Sequence, residues 1–434
     1  MSEINRAVKG TNDILPQDSY KWQFVEGKML EIARIFGFEE IRVPVFEHTE
    51  VFKRRVGDTT DVVQKEMYPF DDKGGRSITL RPELTAGVVR CAIEKGLVNG
   101  ALPSKVCYIG GCYRYEKPQA GRLREFHQFG VECIGAPAPN ADAEIIMLAK
   151  QVLDNVGIEK ISLEINSIGC PECRKNYSEA LKKYFKENID SLCDTCKDRL
   201  ERNPMRILDC KSPVCSALAK DAPVVIDYLC DDCREHFDGV KRHLDAAGVK
   251  YTVNPHIVRG LDYYTRTVFE FVSGDIGAQS TVCGGGRYDG LISQMGGPNV
   301  AALGFAMGIE RLMLVLQAQN TELPKVQSCD LYIATMGEKA LLKASELSAA
   351  LRGDGFKVQA DIVGRGLKAQ MKYADKIGAQ FTTVLGDSEL ESGSARLKNM
   401  KTGDEIAVKL DDLSDELFSA LNKAALESLS ESLE

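Results

Sequence analysis

The sequence predicts an α+β domain, in which helices flank an antiparallel sheet, followed by a C-terminal α/β domain. Within the first 320 residues, strand-like apolar runs follow one another with only charged loops between them, which is typical of antiparallel strands. From residue 328 onward, strand and helix patterns alternate, as in βαβ units. Eight of the 14 cysteines fall between residues 170 and 233, in a separate insertion that interrupts the first pattern. We therefore expect a core of residues 1–165 and 251–320, an insertion at 166–250, a linker at 321–327 and a C-terminal domain at 328–434.

Composition limits the class of protein. A chain of 434 residues with 44% hydrophobic and 27% charged residues is an ordinary globular chain with room for about three domains. A net charge of −8 argues against non-specific coating of nucleic acid, although a local basic patch could still bind RNA. The sequence shows neither a signal-peptide pattern nor a long uncharged apolar run, so we expect a cytoplasmic protein.

The N-terminal elements follow from periodicity. Apolar residues spaced by three and four predict a helix that Gly37 ends: Trp22, Val25, Met29, Ile32 and Phe36. The segment "EEIRVPVFE" (39–47) predicts one strand, and Pro44 favours an edge position because proline has no N–H to donate. The segments "KVCYIGGCYRYE" (105–116) and "REFHQFGVECIG" (124–135) predict neighbouring antiparallel strands.

The C-terminal segments alternate in type. Strands are predicted at "CDLYIATMG", "FKVQADIVG" and "QFTTVLGD", and helices at "EKALLKASELSAALRGDG" and "LKAQMKYADKIGA". This order indicates a mixed or mostly parallel sheet. The polar segment "QAQNTELPKVQS", which contains Pro324, is the predicted linker between the two domains.

The cysteine-rich insertion contains four close pairs. They lie in "CPEC", "CDTC", "CKSPVC" and "CDDC", which hold Cys170, Cys173, Cys193, Cys196, Cys210, Cys215, Cys230 and Cys233. A CxxC turn can direct two thiolates at one ion, so the four pairs could form two four-sulfur sites for structural zinc. The alternative is a set of reduced thiols, some of them buried as small apolar residues.

Four polar clusters carry the candidate chemistry. They are "LRPELTA" (80–86), "YRYEKPQAGRLREFHQFGVE" (113–132), "RGLDYYTRT" (259–267) and "GFAMGIERL" (304–312). Three of them contain an arginine suited to anions, because the planar guanidinium can hold two oxygens of a phosphate or carboxylate. The glycine-rich "CGGGRYDGL" (283–291) matches neither a Walker A loop nor a dinucleotide fingerprint.

Together these motifs resemble the histidyl-tRNA synthetases, which are class II aminoacyl-tRNA synthetases. "KGTNDILP" (9–16) is similar to the family's opening segment, residues 37–70 to motif 1, residues 113–132 to motif 2 and "LGFAMGIERL" (303–312) to motif 3. "RGLDYYTRT" and "GGGRYDGL" resemble the two signatures of the histidine enzymes. Small departures are "EKPQ" where "ERPQ" is usual and "GRGLKAQ" where a serine commonly replaces the second glycine.

The resemblance implies a class II catalytic core, a C-terminal anticodon-binding domain and a homodimer built through motif 1. It implies ATP with Mg²⁺, L-histidine and tRNA(His) as substrates, no membrane partner, and a histidyl-adenylate intermediate formed with release of diphosphate. The main alternative is the non-aminoacylating regulatory subunit of ATP phosphoribosyltransferase, which is expected to lack the "RGLDYYTRT" signature and the anticodon domain. Another class II synthetase and a zinc-dependent nucleic-acid adaptor are further alternatives.

The resemblance also assigns roles at the nucleotide end of the site. Arg114 and Arg259 are the implied catalytic residues: Arg114 contacts the α-phosphate, and Arg259 bridges the α-phosphate and the substrate carboxylate. Arg311 holds the γ-phosphate, and Glu116 orients the adenine. The implied ATP-binding set is therefore Arg114, Glu116 and Arg311.

The implied histidine-binding set is Glu83, Thr85, Arg114, Gln128, Glu132, Arg259, Tyr263, Tyr264 and Tyr288. Glu132 and Tyr264 are the expected partners of the two imidazole nitrogens, while Glu83, Thr85 and Gln128 hold the α-amino group. Core packing is an alternative role for Tyr263 and Tyr288. Gln119 and Arg122 either meet the tRNA acceptor end or lie free in a loop, and His127 is expected to be structural.

Overall fold

The computed structural model describes residues 6–53, 65–208, 210, 212–257, 259, 261–325 and 327–433. Part of the predicted motif 1 (residues 54–64) and Gly260 of the "RGLDYYTRT" segment lie outside these ranges. The chain divides into two compact units, Met1–Leu323 and Pro324–Glu434.

The N-terminal unit contains eleven strands among the described residues: β1 Glu39–Glu40, β2 Phe46–His48, β3 Tyr68–Asp71, β4 Ser77–Leu80, β5 Ser104–Tyr113, β6 Glu125–Ile134, β7 Ser162–Ser167, β8 Thr252–Val253, β9 Thr265–Val272, β10 Thr281–Arg287 and β11 Ala302–Gly308. Eight form one sheet in the order β1-β5-β6-β11-β10-β9-β7-β8, and β2-β4-β3 form a small second sheet. Neighbouring strands from β5 to β7 are antiparallel, whereas β1 and β8 join the two edges in parallel. The predicted α+β fold with a mainly antiparallel sheet is confirmed.

The helices of this unit, in chain order, are α1 Pro16–Ile35, α2 Glu50–Lys53, α3 Thr85–Glu94, α4 Pro139–Asn155, α5 Pro171–Lys186, α6 Asp194–Arg202, α7 Pro213–Lys220, α8 Asp231–Ala246, α9 Leu291–Gln294 and α10 Ile309–Ala318. The predicted stripe on α1 is confirmed, since Val25, Met29 and Ile32 are buried in the main core beside the sheet. Gly37 follows the helix with φ +78°, a conformation that glycine adopts without strain.

The single strand predicted at residues 39–47 is wrong, because Pro44 divides it. β1 joins the edge of the large sheet, and β2 belongs to the small sheet. Between them, the carbonyl oxygens of Val43 and Pro44 accept hydrogen bonds from Arg81 Nη1 at 2.7 and 3.2 Å. These two carbonyls are thus satisfied by a side chain rather than by a strand ladder.

The insertion leaves the sheet after β7 and returns at β8. It contains α5 to α8 and has its own apolar core, which includes Tyr177, Leu181 and Phe185. The predicted antiparallel neighbours β5 and β6 are confirmed, with Tyr108 opposite Gly130. A Cβ at residue 130 would lie 2.4 Å from the Tyr108 ring, so this glycine gives the ring its place over β6.

The C-terminal unit contains β12 Cys329–Thr335, α11 Glu338–Gly353, β13 Val358–Ala360, α12 Leu367–Lys376, β14 Ala379–Leu385, α13 Asp387–Ser392, β15 Ser394–Asn399, β16 Glu405–Lys409 and α14 Leu413–Leu433. The strand order is β13-β12-β14-β15-β16, parallel for the first three and antiparallel for the last two. The predicted α/β class is confirmed. No helix among the described residues is long and apolar enough to span a bilayer.

Candidate active site

One cavity in the N-terminal unit, of about 520 Å³, collects most of the predicted site residues. Its lining includes Glu83, Thr85, Arg114, Glu116, Arg122, Gln128, Arg259, Tyr263, Tyr264 and Arg311. These residues come from four separate stretches of the chain, and the large sheet brings them together. Glu132, Tyr288 and Gln119 are not part of the cavity lining in the described ranges.

Backbone carbonyls hold two of the cavity arginines. Arg114 follows β5, and its Nε donates to the carbonyl of Pro82 at 2.8 Å. Arg311 lies in the first turn of α10 and donates to the carbonyls of Gly121 and Thr281, each at 2.8 Å. These hydrogen bonds fix the planes of both guanidinium groups before any ligand arrives.

The arginines also repel one another. Burial lowers the pKa of Arg311, and the positive charges of Arg114, Arg122 and Arg259 lower it further, whereas Glu116 opposes this effect. Such mutual repulsion in a buried site is relieved when an anion binds. The cavity is therefore built for a negatively charged ligand.

Arg259 also lines the cavity but has a different environment. Its guanidinium pairs with the Glu270 carboxylate on β9 and lies 5.5 Å from the Tyr264 ring centre. Burial alone would lower the pKa of Arg259, but the charge and hydrogen-bond contributions of Glu270 and Tyr264 together raise it. The Nε atom is buried without a hydrogen-bond partner in the described part of the chain. Gly284 makes room for this arrangement, because a Cβ there would lie 2.4 Å from Nη1.

Behind the cavity lies a buried carboxylate, Glu132, which is 1% exposed. It accepts a hydrogen bond from the Tyr108 hydroxyl at 2.9 Å and another from the Tyr288 hydroxyl. Burial raises the pKa of Glu132 to about 8, despite the lowering effect of these hydrogen bonds. A Cβ at Gly304 would meet the Glu132 carboxylate, so glycine is required beside it.

Aromatic rings connect this carboxylate to the cavity. The Tyr263 ring lies 4.8 Å from that of Tyr264 and 5.6 Å from that of Tyr288. Burial raises the pKa values of Tyr263 and Tyr264, which keeps both hydroxyls protonated as donors at neutral pH. The structure thus places these tyrosines both in an apolar cluster and at the cavity wall.

A second buried carboxylate, that of Glu83, lies just before the start of α3. Its carboxylate accepts hydrogen bonds from the backbone N–H groups of Thr85 and Ala86, both at 2.8 Å. Burial raises the pKa of Glu83. Gln128 on β6 lines the same cavity and accepts a hydrogen bond from the Cys112 thiol at 3.3 Å. A cationic amino group would find acceptors here.

The motif 2 loop closes into a tight turn. Gln119 and Arg122 exchange backbone hydrogen bonds of 3.0 and 2.9 Å, and the Arg122 side chain pairs with Glu116. Arg114 lies farther from Glu116, with 3.9 Å between Nη1 and Oε1. Only Arg122 of the two predicted acceptor-end residues reaches the cavity lining that the structure describes.

His127 contacts Glu310 through its backbone N–H and its ring Nδ1, each at 2.9 Å, and packs edge-on against Trp22. The hydrogen bond with Glu310 raises the pKa of His127.

We expect His127→Ala to lower the free energy of unfolding by about 1 kcal/mol below pH 6, and by less as the pH rises through the folded-state pKa, because the raised pKa reflects a bond that favours the charged ring. Denaturant titration measures this loss. The KM for L-histidine, the substrate that the resemblance implies, should change less than about twofold, since a packing residue contributes nothing to ligand selection. A larger rise would place His127 in the site.

The eight insertion cysteines form two groups of four. Cys170, Cys173, Cys230 and Cys233 form the first group, called the base cluster; Cys193, Cys196, Cys210 and Cys215 form the second, called the inner cluster. Within each, all sulfur atoms lie within 4.8 Å of one another. Four thiolates around zinc, at about 2.3 Å from the ion, are separated by comparable distances, so both clusters fit the ion.

Helix starts favour thiolates in both clusters. Cys170 precedes α5, and although burial opposes ionisation, hydrogen bonds from Cys173 and Glu172 lower its pKa to about 7. Cys193 precedes α6, and the Cys196 N–H lowers its pKa likewise. Metal ions bind the thiolate form, so these positions favour ligation.

The sequence interpretation missed three groups that organise the cavity: Tyr108, Glu270 and Glu310. Tyr108 holds Glu132, Glu270 pairs with Arg259, and Glu310 lies in the cavity wall against His127. Glu310 lies in the candidate segment "GFAMGIERL" (304–312). A period-two pattern on β6, where Gln128, Gly130 and Glu132 share one face, was the available signal for a polar layer over the sheet.

Comparisons with known proteins identify the family of the chain. The family profile described as Histidyl-tRNA synthetase matches residues 10–312, and the Anticodon binding domain profile matches residues 330–419. A histidine–tRNA ligase of Caldanaerobacter subterraneus is 55% identical over 410 residues, covering 94% of this chain and 98% of that protein. One from Clostridioides difficile is 52% identical over 415 residues, covering 95% and 99%. The apo histidyl-tRNA synthetase structure from S. aureus matches with a TM-score of 0.82 and 40% identity, covering 95% of this chain and 100% of the other. The chain belongs to the histidyl-tRNA synthetase family.

Proposed function

We propose that this protein joins L-histidine to tRNA(His) at the expense of ATP, through a histidyl-adenylate, with release of diphosphate and then AMP. The observation that carries this proposal is the convergence of Arg114, Arg259 and Arg311 on one cavity that also presents the acceptors Glu83 and Gln128. Such a site can hold two anions and one amino cation together.

The first step brings two anions into contact. The histidine carboxylate attacks the α-phosphate of ATP, which enters as its Mg²⁺ complex, and the bond from the α-phosphorus to the diphosphate oxygen breaks. Negative charge builds up at the α-phosphate during the attack, so cations fixed beforehand stabilise the transition state. Arg114 and Arg259 take this role, while Arg311 holds the γ-phosphate and Glu116 orients the adenine.

Selection of histidine rests on the imidazole. Glu132 accepts a hydrogen bond from one ring N–H, and the Tyr264 hydroxyl donates to the other nitrogen. Tyr263 forms an apolar wall, and Tyr288 packs behind it. Glu83, Thr85 and Gln128 accept the α-amino group. A buried site with fixed polar partners rejects ligands that leave these partners unpaired.

In the second step a ribose hydroxyl at the 3′ end of tRNA attacks the histidyl carbonyl, and AMP leaves. The adenylate phosphate accepts the hydroxyl proton, so the protein supplies position rather than a strong base. Gln119 and Arg122 meet the acceptor end. The unit from Pro324 onward reads the anticodon, whose unstacked bases can be recognised one by one. The working form is a cytoplasmic homodimer joined through motif 1.

Exchange of labelled diphosphate into ATP, measured with each of the twenty amino acids, tests the activity. Exchange should depend on histidine, and tRNA(His) should then accept the amino acid. Absence of exchange with histidine contradicts the proposal. Exchange without transfer to tRNA would indicate a non-aminoacylating relative instead. Sedimentation at micromolar concentration tests the dimer, and a monomer would contradict it.

Each cysteine cluster binds one structural zinc ion in this proposal. Four thiolates with tetrahedral spacing are the ligand set that zinc prefers in structural sites. Purified protein should therefore contain two zinc ions per chain, since there are two clusters. Mass spectrometry of the metal content measures this number, and a thiol reagent measures access to the cysteines. Metal-free native protein in which all eight thiols react freely would contradict the proposal.

A further inference from the structure

The pairing of the cysteines is nested. The base cluster joins the first and last pairs, so it connects the starts of α5 and α8, where the chain leaves and rejoins the sheet. The inner cluster joins the two middle pairs and connects α6 with α7. Each cluster therefore holds a different part of the insertion.

The base cluster lies next to the C-terminal end of the loop formed by residues 261–266. This loop contains Tyr264, the residue proposed to donate to the imidazole. The Gly169 carbonyl, next to Cys170, accepts hydrogen bonds from Thr265 Oγ1 at 3.1 Å and from the Arg266 N–H at 2.9 Å. Arg174, in the first turn of α5, donates to the Tyr264 carbonyl at 3.1 Å. The Cys230 N–H donates to Cys173 Sγ at 3.1 Å, which links α8 to the same point.

The backbone at this point needs such support. Arg266 has φ +53°, in the left-handed region that side chains other than glycine rarely adopt. Its carbonyl accepts from the Ile168 N–H at 2.8 Å, and its guanidinium lies 3.4 Å from His236 Nδ1 on α8. A strained residue persists only when its surroundings hold it, and here those surroundings are Ile168 and Gly169, next to Cys170, and His236 of α8.

The inner cluster reaches the beginning of the same loop. Arg206 lies between Cys196 and Cys210, and its Nη2 contacts Asp262 Oδ1 at 2.7 Å. Asn203 Nδ2 contacts the same oxygen at 3.4 Å. Asp262 lies two residues before Tyr264, so this contact holds the N-terminal end of the loop.

We infer that the two cysteine clusters, when loaded with metal, hold residues 261–266 from both ends and thereby position Tyr264 for histidine. The base cluster acts through Gly169 and Arg174, and the inner cluster acts through Arg206 and Asp262. This inference rests on the proposed function, because it assigns to the insertion a part in amino-acid selection. The cysteines are positioning residues, since they touch neither substrate.

The test uses the full chain with Cys173→Ser/Cys233→Ser for the base cluster and Cys196→Ser/Cys215→Ser for the inner cluster. Cys91→Ser, outside both clusters, is the matched control. Each double variant should keep one zinc ion. The KM for histidine in ATP–diphosphate exchange should rise about tenfold for the base variant, equivalent to the loss of one or two hydrogen bonds, with the KM for ATP changed less than about twofold.

Two double-mutant cycles distinguish the contribution of the base cluster from that of the inner cluster. Asp262→Asn combined with the inner variant should raise the histidine KM no more than the inner variant alone, because both remove one contact. When Asp262→Asn is combined with the base variant, the KM for histidine should rise by the product of the two single-variant factors. Additivity in both cycles, or a histidine KM unchanged by loss of either ion, overturns the inference.

Amide hydrogen exchange gives a readout that does not require activity. Loss of the base ion should speed exchange at Arg266, whose N–H donates to Gly169. If the base variant does not fold, chelation of zinc from the wild-type protein gives the same comparison, with exchange and histidine KM followed together. Unchanged exchange at Arg266 after the ion has left contradicts the inference. Wild-type protein with two ions but no histidine-dependent exchange of diphosphate would instead contradict the proposed function.

Discussion

Replacing Arg259 with Ala should lower the rate of adenylate formation by about 10²- to 10³-fold, the loss typical of one preorganised charge at a reacting centre. The affinity for ATP should fall much less. The reason is that Arg259 lines the same cavity as Arg114 and Arg311 and, in the proposed mechanism, bridges the carboxylate and the α-phosphate, so its charge matters most as the new bond forms.

Pre-steady-state measurement of adenylate formation, together with direct binding of ATP, separates the two effects. Arg259→Lys keeps the charge but loses the planar fork, so it should recover only part of the rate. Arg396→Ala, at an exposed ion pair with Glu405 in the other unit, is the matched control and should leave both quantities unchanged. Equal losses in rate and ATP affinity would identify Arg259 as a ground-state anchor.

Glu270 complicates the interpretation of this variant, because removal of Arg259 leaves its carboxylate in the cavity wall without that partner. The leftover negative charge would repel both substrates. Arg259→Ala/Glu270→Gln removes this repulsion while keeping the loss of the arginine. Recovery of ATP binding in the double variant, without recovery of the chemical rate, would assign the rate loss to Arg259 itself.

Local sequence patterns correctly predicted much of the fold. The stripe on α1 and the apolar runs of β5 and β6 are strong signals because one face of each element is buried in a single core. The break at Pro44 was not predictable, since it depends on Arg81, which is 37 positions away in sequence and donates to the carbonyls there. The β15–β16 hairpin was missed because its apolar alternation is short: β15 offers only Ala395 and Leu397 between polar and charged residues, and β16 is an edge strand.

Arg287 shows the limit of reading roles from motifs. It stands in the "GGGRYDGL" signature, beside Tyr288, yet it is fully buried and forms an ion pair with Asp142 of α4 at 2.6 Å. His236 of α8 approaches the same carboxylate at 3.2 Å. The arginine thus connects β10 to two helices and supports the site from behind. Sequence could place it near the cavity but could not show which way its side chain points.

Replacing Glu132 with Gln should raise the KM for histidine by about 10- to 100-fold, the range for loss of a specific polar partner in a buried pocket. The substitution keeps the shape; one of the Tyr108 and Tyr288 hydroxyls keeps an acceptor oxygen, while the other must accept a hydrogen bond from the amide NH2. It removes the charge that favours the imidazole N–H. Steady-state exchange at varied histidine measures the change, and Glu94→Gln, exposed on α3, is the control. An unchanged requirement would remove Glu132 from the pocket.

The pH profile of the same variant tests the protonation state of the site. Because burial raises the pKa of Glu132 to about 8, the empty enzyme gains its carboxylate acceptor only as the pH rises through that value. The kcat/KM for histidine should therefore rise until about pH 8 in the wild type, since this parameter reports groups of the free enzyme. Glu132→Gln cannot ionise, so its profile should level off just above the imidazole pKa of about 6.5. A wild-type profile with a maximum between about 6.5 and about 8 and a fall above it would mean that Glu132 binds the imidazolium, and the hydroxyl of Tyr264 would then no longer be the donor to the second nitrogen.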